Sequence, residues 1–487
     1  MLPRFARSGG PARAEGRRCP VRQSARSRAA GEAGTITARA TWRDRVGGTD
    51  PVHVNASDDA AGGPGIAPPA RATWLFAILF ALMAVDYFDR QIVVSMFPHL
   101  RAQWPLSDRE LGALVSIVPA VVALATLPLS WLADRGSRLR AVALMAFVWS
   151  AATLACGFAT DYVHLLSLRG MVGLGEAAYG TVAAAILATA FPPRRRSMML
   201  AAFLAAAVFG SVLGVALGGV IATRAGWRSA FFVAGVPGIV LACVTLVLAR
   251  RWKDLDRDPA TPAGAPMPLR SVVRAVAQSR TLQLASLGQG AQLLVAATVL
   301  AWMPTYLARY HALPPDVAAL CAAGLLLASG AGSVAIGAFT DQRARRRPGR
   351  RLAVAVVVAL ITASCLSIGF GVLEPGVASL VLIGIGILMM TGTLGPVVAV
   401  ALEVAPVALR ATFAAVLAFV QGVVGLAAGP YLAGALSDRV GLAAAMTAIS
   451  LACVAAAALF ALALRSYPLD ARPIDVDGGR LSSASSR

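Results

Sequence analysis

Arg169-Gly170-Met-Val-Gly173-Leu-Gly175-Glu176-Ala-Ala-Tyr179-Gly180 puts an arginine and a glutamate inside a long apolar run. Charge at the centre of a bilayer costs at least ~2.5 kcal/mol, so such residues mark a functional site unless they form a purely structural pair. Arg169 and Glu176 are two helical turns apart, on roughly one face, with an axial separation of ~10 Å. That is too far for a close pair within the helix, so each needs a partner from another helix or a substrate. Burial favours a protonated carboxyl and a nearby guanidinium favours the ionised one, the balance a reversible proton carrier needs. Arg169 stays charged and suits holding a substrate phosphate or carboxylate, or pairing with Asp89 or Glu176. The four glycines would let a neighbouring helix or a substrate approach the backbone.

The rest of the chain provides the membrane context. It has 487 residues, 57% hydrophobic and 14% charged, with a mean hydropathy of +0.70. Soluble domains are nearer ~25% charged. The net charge of +20 lies in short loops between apolar runs, which fits membrane topology and argues against nucleic-acid binding. Six scattered cysteines without a CxxC pair indicate neither a disulfide framework nor a metal site. No Walker-type phosphate loop, GxSxG elbow or HExxH motif occurs, so an ATP-driven pump or a hydrolase is not expected, nor is a cofactor.

Twelve runs reach the ~20 apolar residues that span a bilayer. They lie at about 72–97, 109–132, 140–160, 162–191, 197–223, 230–250, 281–307, 316–340, 351–371, 377–404, 411–436 and 442–464. The pattern predicts an all-α polytopic membrane protein of two six-helix bundles. Residues 1–70 form an N-terminal extension expected to be disordered, 71–250 one bundle, 251–280 a linker, 281–465 the second bundle and 466–487 a disordered tail. The stretch from Leu269 to Arg280 is expected to form a short surface helix. Loops after even-numbered runs carry Arg135, Arg138 and Arg140, then Arg194, Arg195 and Arg196, then Arg343, Arg345, Arg346, Arg347 and Arg350. Loops after odd-numbered runs carry fewer basic residues, which predicts cytoplasmic termini and linker. Ser130-Trp-Leu-Ala-Asp134-Arg135 ending run 2 pairs with Gly337-Ala-Phe-Thr-Asp341-Gln-Arg343 ending run 8, and the glycine series of runs 5 and 11 also correspond. Such internal repeats characterise secondary transporters.

Asp86, Asp89 and Arg90 fall in the first run, with Asp86 and Arg90 at i,i+4 spacing on one face. Groups this deep must pair or line an aqueous cavity. Asp134, Arg135 and Arg138 sit at a helix end, where the carboxylate can cap another helix and the arginines can pair across the halves. Gln289 and Gln292 in run 7 are candidate lining amides, although core amides more often bond neighbouring helices. Trp302 and Tyr306 fit an interfacial aromatic belt.

With these motifs together the chain resembles the major facilitator superfamily over about 72–465. The Asp134-Arg135-Gly-Ser-Arg138 loop resembles that family's cytoplasmic gate, with Ser130 and Ser137 where the family usually has glycine. Gly226-Trp-Arg-Ser-Ala-Phe231 and Gly235-Val-Pro-Gly238 resemble its sixth helix. Asp86-Tyr-Phe-Asp89-Arg90 and Arg169-x-x-x-Gly173-x-Gly175-Glu176-Ala-x-Tyr179 resemble Spinster-like members, with anion:cation symporter-like members second; Asp86 departs from the usual Asn. The resemblance implies a non-enzymatic secondary transporter of the plasma (inner) membrane, working by alternating access as a monomer among membrane lipids. Its substrate would be a lipid-like amphiphile or, alternatively, a small organic anion. Asp89, Glu176 and Asp86 would be proton or ion sites, Arg90, Arg169, Tyr179, Gln289 and Gln292 would contact substrate or pair charges, and Asp134, Arg135, Arg138 and Asp341 would form the gate. A non-transporting sensor on the same fold is the alternative of another class.

Overall fold

The computed structural model describes residues 69–133, 135–252, 269–345, 349–406 and 409–471. The N-terminal extension, Asp134, most of the linker and the C-terminal tail lie outside the described residues. Among the described residues twelve helices are long and apolar enough to cross a membrane. They are α1 (Ala70–Ser95), α2 (Asp108–Ala133), α3 (Arg138–Cys156), α4 (Tyr162–Ala190), α5 (Arg194–Ala225), α6 (Trp227–Arg251), α7 (Arg280–Tyr310), α8 (Pro315–Ala344), α9 (Arg350–Gly371), α10 (Val377–Glu403), α11 (Arg410–Val440) and α12 (Leu442–Asp470). The surface helix expected before α7 forms over Leu269–Gln278.

The two halves repeat each other down to single turns. Gly226 joins α5 to α6 at φ +82°, and Gly441 joins α11 to α12 at φ +84°. Both sit in backbone that a side chain would strain. Several runs read as continuous are interrupted, α12 briefly at Leu451 and three others more deeply. α4 breaks at Ala177–Ala178, α10 at Thr391–Thr393, and α11 contains a π-helical stretch over Gln421–Ala427. Apolar periodicity does not report such breaks, because the freed carbonyls are satisfied by residues remote in sequence. Thr126 of α2 donates to Ala177 O, Gln292 of α7 to Met390 O at 3.0 Å, and Ser333 of α8 to Thr391 O at 3.2 Å. The last helix runs to Asp470, past the apolar limit near 464. Its polar end is held because Asp470 accepts from Thr281 N at 2.7 Å, capping α7, and Ser466 pairs with Thr281 at 2.9 Å.

One apolar cluster joins both halves, built from residues such as Phe97, Leu111, Trp302 and Met446. Two further clusters each lie within a single half. Trp302 and Tyr306 therefore do not sit in an interfacial belt. Both are buried; Trp302 Nε1 donates to Pro430 O at 3.1 Å and its ring lies 5.2 Å from that of Phe97. The shared core gathers at the end where α2 begins.

A polar latch closes that end. Asp108, only 4% exposed, accepts from Arg309 Nη1 at 2.8 Å and Nη2 at 2.7 Å, from Ser437 Oγ at 2.6 Å and from Arg101 Nη2 at 2.5 Å. In return Asp438 of α11 accepts from the backbone N–H groups of Asp108 at 2.8 Å and Arg109 at 3.0 Å. A carboxylate of one half thus caps a helix of the other and complements its dipole. Sequence reasoning missed these residues. Ser107-Asp-Arg-Glu110 reads as a local capping box, and Ser107 N does donate to Glu110 Oε2 at 2.9 Å. That local role conceals the partner more than 300 positions away.

Replacing Asp438 by Ala removes the cap at a cost of about 1 kcal/mol. The halves should then separate at this end roughly fivefold more often. Spin-label distances between exposed positions Ala102 and Val440 check this; an unchanged distribution would remove Asp438 from the latch.

Candidate functional site

The opening stretch of sequence becomes the first segment of α4, which ends at Glu176, immediately before the break. Two of its glycines have a steric reason. A Cβ on Gly175 would lie 2.6 Å from Trp149 N, and one on Gly173 would lie 2.8 Å from Val118 O. α3 and α2 therefore press directly on the α4 backbone. Gly170 and Gly180 are under no such constraint. The close packing brings α4 against α1 and fixes five ionisable side chains together.

They divide into two groups. Deeper along α4, Arg169 Nη1 lies 3.3 Å from each oxygen of Asp89 and donates to Asp89 O at 3.4 Å. Thr153 of α3 adds a hydrogen bond to Asp89 Oδ2 at 2.9 Å. Both charged residues are 1% exposed, so this is a desolvated pair that stands only because each partner has the other. A turn away, Arg90 Nε donates to Asp86 Oδ1 at 3.0 Å. The same Nε lies 2.9 Å from Glu176 Oε2. An Nε carries one hydrogen, and here it points to Asp86. Among the described residues neither Glu176 oxygen receives a hydrogen bond, although the side chain is 0% exposed. The Arg90 side chain keeps 19% exposure and is the most accessible of the five. Its guanidinium also lies 5.1 Å above the Tyr87 ring.

Tyr179 starts the second segment of α4 and is buried. Its hydroxyl donates to Leu79 O at 2.6 Å, and its ring meets Trp149 edge-on at 5.1 Å. Its observed role is to hold α4 to α1 just beyond the break. Thr153 was absent from the sequence reading, because a lone threonine in an apolar run carries no distinguishing signal.

Gln289 and Gln292 lie in the other half and are fully buried. Gln292 is tied to the interruption in α10, whereas both amide atoms of Gln289 lack a hydrogen-bond partner. Interruptions at corresponding places in two halves are the usual position of a transporter's binding site. The break in α4 carries charge beside it, and the break in α10 carries neutral amides and hydroxyls.

The residues expected at the gate are spread over two loops. Asp134 lies outside the described residues. Arg135 stacks on Trp131 at 3.4 Å, and Arg138 begins α3. Ser137 caps α3 by accepting from Arg140 N at 3.1 Å. Asp341 is exposed, 3.4 Å from Arg351 Nη2, and Arg351 also pairs with Glu403, whose Oε2 accepts from Tyr467 at 2.8 Å. Arg351 and Glu403 were not singled out in the sequence, because each stands at a helix end where charge is ordinary. Among the described residues no group of His, Cys, Asp and Glu is arranged to hold a metal ion.

Comparison with known proteins agrees with this architecture. Residues 79–430 match the Major Facilitator Superfamily. The sphingosine-1-phosphate transporter SPNS2 of Mus musculus is 30% identical over 240 residues, which span 48% of this chain and 43% of that protein. Protein spinster homolog 3 of Homo sapiens is 28% identical over 394 residues, 76% of each chain. Among solved structures, a bacterial homologue of the human lysosomal transporter Spinster, inward-facing and unoccupied, superposes with a TM-score of 0.72. It is 21% identical and covers 83% of this chain and 99% of its own. The chain therefore belongs to the Major Facilitator Superfamily, as a membrane transporter similar to the Spinster proteins and not an enzyme.

Proposed function

We propose that the chain is a proton-coupled secondary active transporter working by alternating access on an amphiphilic lipid-like or organic anionic substrate. The observation that carries the proposal is the imbalance of the buried cluster. Three carboxylates, Asp86, Asp89 and Glu176, face two guanidiniums, and Glu176 is the carboxylate left without a donor. An uncompensated buried charge is neutralised rather than tolerated. Glu176 is then the proton carrier, and Asp86, which shares Arg90 with it, is the group the proton is balanced against. Asp89 and Arg169 form the second, permanent pair.

Coupling follows from competition for Arg90. When Glu176 is ionised, it draws on the Arg90 guanidinium. When it is protonated, the exposed part of Arg90 is available to a substrate anion. Proton binding and anion binding therefore favour each other, and the coupling is reciprocal. The proposed direction of the cycle is symport. The amphiphilic class is supported by the mouse relative, whose name specifies sphingosine-1-phosphate, an apolar chain with an anionic head. Gln289 is the proposed polar contact on the facing half.

The arginine-rich loops set the proposed orientation, with both termini cytoplasmic and the protein a monomer of the plasma (inner) membrane. The Asp108 latch then closes the extracytoplasmic side and the arrangement faces inward. Asp134, Arg135, Arg138 and Asp341 would form the opposing gate when the halves rock.

The deciding experiment is uptake into proteoliposomes of lysophospholipids, sphingoid phosphates and organic acids, with and without a pH gradient. Binding without flux would favour a sensor on the same fold. For the wild type, apparent substrate affinity should fall as pH rises through the titration of Glu176. Glu176→Gln should bind with little pH dependence and lose gradient-driven accumulation by roughly tenfold or more, a factor worth about 1.4 kcal/mol per decade. Full gradient-driven uptake with unchanged pH dependence in this variant rules out Glu176 as the proton site.

The Asp89–Arg169 pair should behave differently. Arg169→Ala leaves a buried carboxylate alone and should destabilise the fold by ~3–5 kcal/mol. Combining Asp89→Asn with Arg169→Gln should recover most of that loss, read as the unfolding midpoint in detergent. A double variant as unstable as Arg169→Ala would mean the pair does more than neutralise charge.

A further inference from the structure

Away from the charge cluster, in the C-terminal half, a groove of about 780 Å³ runs between α8 and α9. Its floor is apolar, made by Ile336, Val358 and Met389. Its rims carry Phe339, Val357 and Ile361, which are 46%, 54% and 39% exposed and so face the surrounding lipid. Arg343 closes α8 and Arg350 opens α9, so both arginines stand at one end. The carboxylates Asp341 and Glu403 at this end are engaged by Arg351. Among the described residues Arg343 and Arg350 have no ion-pair partner. Arg343 instead lies 4.7 Å over the Phe339 ring, on the groove wall.

The length of the groove is informative. From Arg350 to Ile361 the α9 wall rises about 16 Å, and from Arg343 to Ala335 the α8 wall rises about 12 Å. One leaflet of hydrocarbon is about 15 Å thick. The groove thus starts with unmatched positive charge at headgroup level and ends near the bilayer midplane. That is the shape and polarity of one anionic lipid standing in its own leaflet, with Arg343 and Arg350 on the phosphate.

We infer that this groove holds an anionic glycerophospholipid of the cytoplasmic leaflet as a resident, untransported ligand. The leaflet rests on the orientation proposed above; the lipid site does not depend on the transport reaction. A lipid seated there also covers the apolar floor between α8, α9 and α10, elements that belong to one half, so it can stay bound while the halves rock.

The test is lipid retention by the full-length protein, taken from equimolar phosphatidylglycerol and phosphatidylcholine bilayers and weighed by native mass spectrometry. One phosphatidylglycerol per chain is expected, preferred over phosphatidylcholine on the order of tenfold. Arg343→Gln with Arg350→Gln should abolish the preference. Val357→Trp, which fills the groove from a lipid-facing position, should abolish retention of either lipid. The control pair Arg195→Gln and Arg196→Gln, on a different basic loop, should leave the preference intact. Equal retention of the two lipids by the wild type would overturn the inference. So would loss of preference in the control, or displacement of the bound lipid by a substrate active in uptake. Because retention is read without flux, a failure of the transport proposal leaves this result standing.

Discussion

Arg90 has one Nε–H and two carboxylate oxygens within 3.0 Å of that nitrogen. In water the conflict would be trivial, since solvent would supply the missing donor. In a site where Glu176 is fully enclosed it is not, because an ionised carboxylate without donors loses its hydration and gains nothing in return. The cluster therefore has a preferred protonation count, set by the number of guanidiniums that α1 and α4 supply. Several other features of the N-terminal half serve to keep that count fixed. Gly173 and Gly175 let α2 and α3 press α4 onto α1, Thr153 occupies an oxygen of Asp89, and Tyr179 ties α4 to Leu79. Loosening any of these would admit water, and water would remove the conflict.

The same rule, that polar groups in hydrocarbon must be satisfied internally, governs the interrupted helices. A break in a membrane helix frees carbonyls that need donors. The donors here are side chains of neighbouring helices: Thr126 for α4, Gln292 and Ser333 for α10. Each break is thereby welded to the helix beside it. The two halves use the device at matching places but set different chemistry around it, charge in one and neutral amide or hydroxyl in the other. A rocking motion between such halves moves a neutral wall past a charged one. The ions remain among their own partners, so their desolvation cost need not be met again in each conformation.

How far these features could be read in the sequence follows from the range of the interactions. Twelve spans were legible because hydrocarbon thickness imposes a length on each one, a property of contiguous residues. The site was legible in outline because charge inside an apolar run is costly wherever it occurs, which singled out Asp86, Asp89, Arg90, Arg169 and Glu176 without any partner being known. The pairing was legible only in part: the i,i+4 spacing of Asp86 and Arg90 showed one contact, while Asp89 and Glu176 stood as alternatives for Arg169. Arg169 pairs with Asp89, and Arg90 comes to stand between Asp86 and Glu176, because of helix rotation, which glycines and buried aromatics set through packing. Asp108, Arg309 and Asp438 were hidden for a related reason. Acidic and basic residues at helix ends are ordinary, and nothing local distinguishes a residue that caps its own helix from one that caps another. Trp302 illustrates the converse, since an aromatic near a helix end looks interfacial until a carbonyl such as that of Pro430 is found beside its N–H.

The Asp108 latch and the Arg90 cluster are built from the same chemistry but differ in exposure, and the difference suits their positions. Arg101 and Arg309 keep 38% and 31% of their side-chain surface, while the Arg169 and Asp89 side chains keep 1% each. An arginine partly in water can leave its carboxylate at lower cost, because solvent takes over the hydrogen bonds that it loses. A pair sealed in protein cannot part in this way, because breaking it leaves a bare charge. Contacts between the halves need the first property and contacts within a half need the second. Of these pairs Arg309–Asp108 crosses between the halves, with a partly exposed arginine on one side and the buried Asp108 on the other. The sealed pair joins α1, α3 and α4, all in one half. The contact between the halves thus keeps a cation that water can take over, whereas the sealed pair does not, and Glu176, the proposed proton carrier, lies in the same bundle as the sealed pair, where only its protonation state would have to change.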